Sequence, residues 1–281
     1  MLGVAAAHLL SNWVGVEAVA PSGATVSVGV YSSMLWVAGL LLLVGLLDDR
    51  LGLPVWLRFP LYALACFGAL WWLLWPLALW QFLLGGLFAL WLVNLYNFMD
   101  GIDGIAAAEA IFVCVAAALL STWQVGFSDY ASFCLVIAAA CVGFLFLNWA
   151  PASLFLGDTG SIPLGFLLAM LSLWGADSGL LPLACWLILL ATFIGDASAT
   201  LLWRAFTGQA VTQAHRLHMY QRLSRHWNSH ARVVLVMSVY NLAWLAPLAA
   251  LVIIDSDWTL PALLAAYLPL LLAWWKAVKL P

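Results

Sequence analysis

The run SSMLWVAGLLLLVGLL, residues 32–47, carries no charge and is apolar around its whole circumference, and runs like it fill most of the chain. A helix without a polar face has no side to turn toward water, so it must be surrounded by protein or lipid. A bilayer core of about 30 Å takes about 20 residues per helical crossing, and this chain cuts into such pieces almost end to end. Composition points the same way: of 281 residues, 67% are hydrophobic and 7% charged, so water is not the main solvent. A transmembrane barrel would show short alternating strands. Continuous apolar runs instead require each backbone group to be satisfied within its own segment, as a helix does. The expected fold is all-α, a polytopic transmembrane helical bundle forming one integral membrane domain over residues 1–281.

Other classes drop away. A net charge of −3 and the lack of a basic stripe interleaved with aromatics argue against a nucleic-acid partner. Cys66, Cys114, Cys134, Cys141 and Cys185 all fall in apolar segments without metal-ligand spacing, so they read as small buried hydrophobes. The first 49 residues contain no Lys or Arg, so the basic region of a cleavable signal peptide is missing and the apolar segments are expected to stay.

Gly, Pro and charges divide the apolar sequence into about ten helices. They fall near residues 2–20, 26–47, 59–75, 77–98, 104–123, 130–149, 161–176, 182–205, 231–254 and 259–276. Alternating crossings put loops 48–58, 99–103, 150–160 and 206–230, and the C-terminus, on one side. Charge tests that assignment. All nine basic residues (Arg50, Arg58, Arg204, Arg216, Arg222, Arg225, Arg232, Lys276, Lys279) fall on or beside this face, whereas the opposite loops hold Asp129, Asp177, Asp255 and Asp257. By the positive-inside rule this face, with the C-terminus, is cytoplasmic.

The same loops hold five carboxylates: Asp48 and Asp49 in LLDDRLGLP, Asp100 and Asp103 in NLYNFMDGIDG, and Asp158 in FLGDTGS. Any one of them reads simply as a helix cap or a solvated helix end. Five on one face are harder to dismiss, because clustered carboxylates repel unless a cation neutralises them. A hard divalent ion suits such a set. Mg²⁺ takes one or two carboxylates plus substrate phosphates, with Mn²⁺ as a substitute. Asn94, Asn97, Asp100 and Asp103 recur every third residue, which would hold them along one slowly drifting helix face.

The longest polar loop, TGQAVTQAHRLHMYQRLSRHWNSHAR, carries four histidines and several arginines and suits phosphate groups. Arg222, Arg225 and Arg232 read as a basic stretch drawn to anionic lipid; His215, Arg216 and His218, close together, are candidates for phosphate contact. Asp196 and Glu109 lie within apolar helices, where a carboxylate is a functional candidate by default. Both are read here as structural, paired with polar neighbours or wetted near a helix end.

Together LLDDRLGLPVWLRF, NLYNFMDGIDG, NWAPASLFLGDTGS and FIGDASATLLWRAFTGQAVTQAHRLHMYQRL resemble the motifs of the polyprenyl-phosphate N-acetylhexosamine-1-phosphate transferases, glycosyltransferase family 4, in the family's order. The family includes the phospho-N-acetylmuramoyl-pentapeptide transferases and the enzymes that start O-antigen synthesis. The resemblance implies Mg²⁺-dependent transfer of a sugar 1-phosphate from a UDP-sugar to undecaprenyl phosphate, with release of UMP, at the cytoplasmic face of a bacterial inner membrane. It implies Asp158 as the strongest Mg²⁺ ligand with Asp100 beside it, and Asp48 or Asp49 positioning or deprotonating the lipid phosphate. Asn97, Asp103, Asn148 and Phe155 would hold the nucleotide, Phe155 by stacking on uracil, while Arg58 and the His215, Arg216 and His218 cluster would meet phosphates. Among these, Asp48, Asp49, Asp100 and Asp103 are the catalytic candidates.

HRLHMYQRL lacks the histidine triplet of the peptidoglycan branch and is more similar to the O-antigen branch, which favours UDP-GlcNAc or a 6-deoxy relative such as UDP-FucNAc. Family members usually begin with a further helix and a cytoplasmic loop of the type PxxRSSHxxPTPRGGG. MLGVAAAHLL is similar to the helix that follows that loop, so the usual first helix and loop are expected to be absent from this sequence. The loop supplies basic and glycine contacts to substrate, so its loss bears on activity. Apolar helix faces leave room for a homodimer. The competing reading is a transporter or flippase using Asp100, Asp103, Asp196 and Glu109 as an ion relay, or an inactive scaffold of the same fold; acids at helix ends and no visible repeat weigh against the transporter.

Overall fold

The computed structural model describes residues 24–74, 76–209 and 216–280, and among these every regular element is helical. We number them α1 (Ala24–Leu51), α2 (Val55–Leu74), α3 (Leu79–Met99), α4 (Ile105–Val125), α5 (Asp129–Asn148), α6 (Gly157–Asp177), α7 (Leu183–Leu189), α8 (Ala191–Phe206), α9 (Met219–Trp227), α10 (His230–Tyr240), α11 (Ala246–Ile254) and α12 (Thr259–Ala277). A π-helical turn, Asn241–Leu245, joins α10 to α11, and a 3₁₀ turn, Ser256–Trp258, precedes α12. Eight described helices, counting α10 to α11 as one span, are long and apolar enough to cross a membrane; a ninth arises if α7 and α8 form one broken span. The segment expected near 2–20 lies outside the described residues.

The helix ends follow local chemistry. α1 stops where Gly52 takes φ +63°, its amide bonding back to the Asp48 carbonyl at 2.8 Å, with Pro54 just beyond. Gly126 ends α4 at φ +86°.

Three departures from the sequence expectation stand out. The span over 182–205 is bent by 73° between α7 and α8, with no Pro or Gly at the break to signal it. The polar loop over 206–230 contains α9, whose His218 and Gln221 form a reciprocal capping box. The span over 231–254 is interrupted by the π turn just ahead of Pro247, where a regular helix would set the proline ring against the carbonyl four residues back.

The chain divides into two compact units, neither of them continuous in sequence. The first comprises Met1–Asn97, Ala117–Val136 and Leu156–Leu183. There α1 lies along α6, and α2 packs on both. Small residues allow the close approach: a Cβ on Gly165 of α6 would lie 3.0 Å from the Leu92 carbonyl oxygen, and one on Gly175 would lie 2.5 Å from the Tyr130 hydroxyl. That hydroxyl donates to the Leu171 carbonyl at 3.1 Å.

The second unit comprises Phe98–Ala116, Ile137–Phe155 and Ala184–Pro281. α12 packs against α8 and α11, and α9 touches α8, α10 and α12. Its interior holds Glu109, fully buried, which accepts from Thr192 Oγ1 at 3.0 Å and from Asn241 Nδ2 at 2.6 Å. This supports the structural reading of Glu109, since a buried carboxyl is tolerated only with such partners. Large apolar side chains such as Trp36, Trp72, Phe146 and Leu264 remain exposed, as lipid-facing surface requires.

Candidate functional site

In the first unit the polar residues gather around Asp158, in the first turn of α6. Asn97 Nδ2, from the last turns of α3, donates to Asp158 Oδ1 and lies 3.1 Å from Ser161 Oγ. Arg58 Nη1, near the start of α2, pairs closely with Asp48 Oδ2 and lies 3.4 Å from Asp158 Oδ2. Asp48 is also held by the Leu53 amide at 2.7 Å. One guanidinium therefore bridges carboxylates that are 110 residues apart in sequence, the difference between positions 158 and 48.

Asp49 turns to a different task. Its carboxylate accepts from the amides of Asp158 at 3.0 Å and Thr159 at 2.9 Å, and from Thr159 Oγ1 at 2.6 Å. It thus caps α6 from the end of α1, satisfying amides that have no partner within their own helix and adding negative charge at the positive end of the helix. Gly157, at φ +61°, makes room, since a Cβ there would sit 2.8 Å from Asp49 Oδ2. Gly45 lets α1 close on the same turn: a Cβ on it would lie 2.4 Å from the Asp158 carbonyl oxygen.

Whether this cluster suits a divalent cation can be judged from its own atoms. The Arg58 guanidinium lies between the Asp48 and Asp158 carboxylates and offsets part of their repulsion, so a metal ion bound there would share them with it. The Tyr62 hydroxyl, one turn beyond Arg58, is buried without a hydrogen-bond partner among the described residues, with Asp158, Asp48 and Arg58 among its charged neighbours. Sequence reasoning passed over Tyr62 because it sits in an apolar helix with no motif around it. Among the described residues no three His, Cys, Asp or Glu side chains form a ready metal cage. Asp48 and Asp158 are the hard oxygen donors here that would hold Mg²⁺, an ion that binds through few carboxylates and the phosphates it accompanies.

The second unit brings together the remaining motifs. Asn148 is 3% exposed and bridges two loops, its Oδ1 accepting from the Gly104 amide at 3.0 Å and its Nδ2 donating to the Leu154 carbonyl at 2.8 Å. Asp103 Oδ2 accepts from the Ala152 amide at 3.2 Å. His230 Nδ1 lies 3.2 Å from that Asp103 oxygen and 3.3 Å from the Asp103 amide. Protonated, Nδ1 donates to the carboxylate; unprotonated, it accepts from the amide, so it serves one of them at a time. His230 was visible in the sequence only as one of several loop histidines. Phe155 is 72% exposed, its ring open for stacking.

Asp100 is half-buried just past the end of α3. Arg216 is exposed, and its carbonyl accepts from Arg225 Nη1 at 3.1 Å. His215 lies outside the described residues.

His218 is 2% exposed, its ring stacked with Phe98 and Tyr220 at centroid distances of 6.4 and 5.8 Å. Its Nδ1 is 3.7 Å from Asp196 Oδ1. The Asp196 carboxylate, also buried, accepts from the amides of Met219 at 2.7 Å and Tyr220 at 3.0 Å and from Thr200 Oγ1 at 3.1 Å. The Tyr220 phenol donates to the Phe98 carbonyl at 2.9 Å. Burial first, then the charges of Asp196 and Asp100, push that phenol well above its ordinary pKa, so it stays a donor at any working pH.

Arg222 departs from its expected role as a lipid-facing cation. It is buried, with Nε donating to the Leu217 carbonyl at 3.1 Å and Nη1 to the carbonyls of Val278 and Leu280 at 3.2 and 2.9 Å. Burial and the neighbouring Arg225 lower its pKa.

Residues 31–176 match the profile of glycosyl transferase family 4, and the chain belongs to that family. It is 31% identical over 169 residues to a probable undecaprenyl-phosphate N-acetylglucosaminyl 1-phosphate transferase of Bacillus subtilis, covering 58% of this chain and 46% of the relative. It is 28% identical over 237 residues to a decaprenyl-phosphate N-acetylglucosaminephosphotransferase of Mycolicibacterium smegmatis, covering 72% and 58%. A phospho-N-acetylmuramoyl-pentapeptide-transferase of Heliobacterium modesticaldum is 34% identical over 134 residues, covering 46% and 40%. The chain spans about half the length of the relatives it matches.

Proposed function

We propose that this protein transfers N-acetylhexosamine 1-phosphate from a UDP-sugar to undecaprenyl phosphate, releasing UMP and starting a lipid-linked O-antigen or related envelope glycan. The observation that carries the reading is the Asp48, Arg58, Asp158 and Asn97 constellation at the ends of apolar helices, in a chain of this family. Phosphoryl transfer asks little covalent chemistry of the protein; it needs positioning and neutralisation of charge. A phosphate monoester has a second pKa near 6, so the lipid phosphate is already largely a dianion at neutral pH and a carboxylate need only orient it.

Asp48, paired with a partly exposed arginine, is our candidate for that orienting group, with Asp49 fixing the turn that carries Asp158. Bound at Asp158 and Asp48, Mg²⁺ would supply charge neutralisation to the diphosphate, while Asp100, in the other unit, is a catalytic candidate in its own right. Asn97 holds Asp158 in place, Arg58 and Arg216 meet phosphate oxygens, and Asp103 and Phe155 take the nucleotide, Phe155 stacking on its base. Asn148 supports the same loops through its two hydrogen bonds. The positive-inside distribution favours a cytoplasmic face of a bacterial inner membrane, where a soluble nucleotide sugar meets a lipid phosphate.

The test is incubation of purified protein with undecaprenyl phosphate, Mg²⁺ and a panel of radiolabelled UDP-sugars, among them UDP-GlcNAc and UDP-FucNAc. We expect UMP release with label in the lipid, and we expect Asp158→Asn to abolish turnover while leaving the thermal unfolding profile in detergent intact. Full activity of that variant would remove Asp158 from the site, and no lipid product from any sugar would sink the reading.

A further inference from the structure

Asp196 and α9 have no part in the reading above, yet their contacts lead to Asp100. Two amides at the start of α9, that of Met219 part-buried and that of Tyr220 buried, are bound by a buried carboxylate of α8, at 2.7 and 3.0 Å. A carboxylate enclosed in an apolar span is costly unless it is fully engaged, and the helix N-terminus supplies both donors and favourable charge. From that anchored turn the Tyr220 phenol reaches the Phe98 carbonyl at 2.9 Å, two residues before Asp100. The contact is tight enough to dictate the next residue: a Cβ on Gly101 would stand 2.1 Å from the Tyr220 hydroxyl oxygen and 2.9 Å from Gln221 Nε2.

We propose that Asp196, the start of α9 and Gly101 form a clamp that sets the position of Asp100, which makes Asp196 and Tyr220 positioning residues of the transferase. The proposal rests on the functional reading for its chemistry and on the hydrogen bonds for its mechanics. The first glycine of MDGIDG is then a docking surface for α9.

Two measurements test it, on wild type, Gly101→Ala, Tyr220→Phe, the double variant and Asp196→Asn. In the sugar-transfer assay Gly101→Ala should lower kcat by about 100-fold with KM little changed, the scale expected of an ångström misplacement. Removing the opposing hydroxyl with Tyr220→Phe should restore the double variant to within roughly tenfold of wild type. General destabilisation would instead accumulate in the double variant. Should Gly101→Ala not fold, Tyr220→Phe alone should lower kcat by roughly fivefold, the scale of one lost hydrogen bond, without changing KM.

In hydrogen–deuterium exchange, Asp196→Asn should deprotect the peptide covering residues 217–224 while α3 and α6 stay protected. Unchanged exchange there overturns the clamp whatever the activity. A double variant as slow as Gly101→Ala, with wild type active, overturns the positioning role. An inactive wild type takes down the functional reading and the positioning role with it, and exchange alone then decides whether Asp196 docks α9.

Discussion

Asp49 and its neighbour show how two identical side chains divide their work according to what the fold presents to each. Asp48 faces Arg58 and the Leu53 amide, and Asp49 faces the first turn of α6. Replacing Asp49 with Ala strips three hydrogen bonds from that turn and should cost about 1 to 2 kcal/mol, seen as a lower unfolding temperature in detergent. Asp49→Asn keeps one acceptor oxygen for Thr159 but sets an NH₂ against the Asp158 amide, so its stability should fall between Ala and wild type, with part of the sugar-transfer rate retained. If Asn is more stable than Ala but wholly inactive, the carboxylate acts in the chemistry itself. The DD pair was conspicuous in the sequence; the partner of each was not, because both partners are set by how α1 meets α2 and α6. Asn148 repeats the lesson, since a polar residue beside a motif reads equally as a ligand contact or as a brace between loops.

At the scale of elements, close packing makes the sharpest demand where α1 crosses the start of α6. Gly45→Ala pushes a methyl to 2.4 Å from the Asp158 carbonyl oxygen and should destabilise by about 1 to 3 kcal/mol, the usual range for overpacking. Gly39, on the same helix with open space around it, provides the contrast. Gly39→Ala should be neutral or stabilising by up to about 1 kcal/mol from helix propensity. Thermal unfolding of the two variants side by side checks both; equal effects would mean that α1 does not approach α6 so closely.

Apolar length revealed the spans because the bilayer imposes it, and helix ends were legible wherever Gly or Pro marked them, as at Gly52. The break between α7 and α8 has no such mark, and α9 is too short and too polar for a hydropathy reading to separate it from loop. Both depend on tertiary contacts, with Asp196 capping α9 and α12 packing against α8.

For the whole molecule, the separation of basic and acidic loops predicts orientation in a bilayer. Arg225→Cys and Asp257→Cys, both at exposed positions, should label with a membrane-impermeant maleimide from opposite sides, Arg225→Cys from the cytoplasmic side. The five native cysteines are buried, so background labelling should be low. Labelling of both from one side would overturn the alternation of crossings.

The π turn at Asn241–Leu245 bears on the same architecture in another way. Each residue of an α-helix advances about 100° around its axis, so a turn holding one extra residue resets the heading of all that follows. Residues 246–254 therefore face directions that no single helical wheel drawn from residue 230 would give. Deleting one residue from the turn would turn α11, and the chain beyond it, onto the wrong neighbours, so this span is under constraint in its length as well as in its composition.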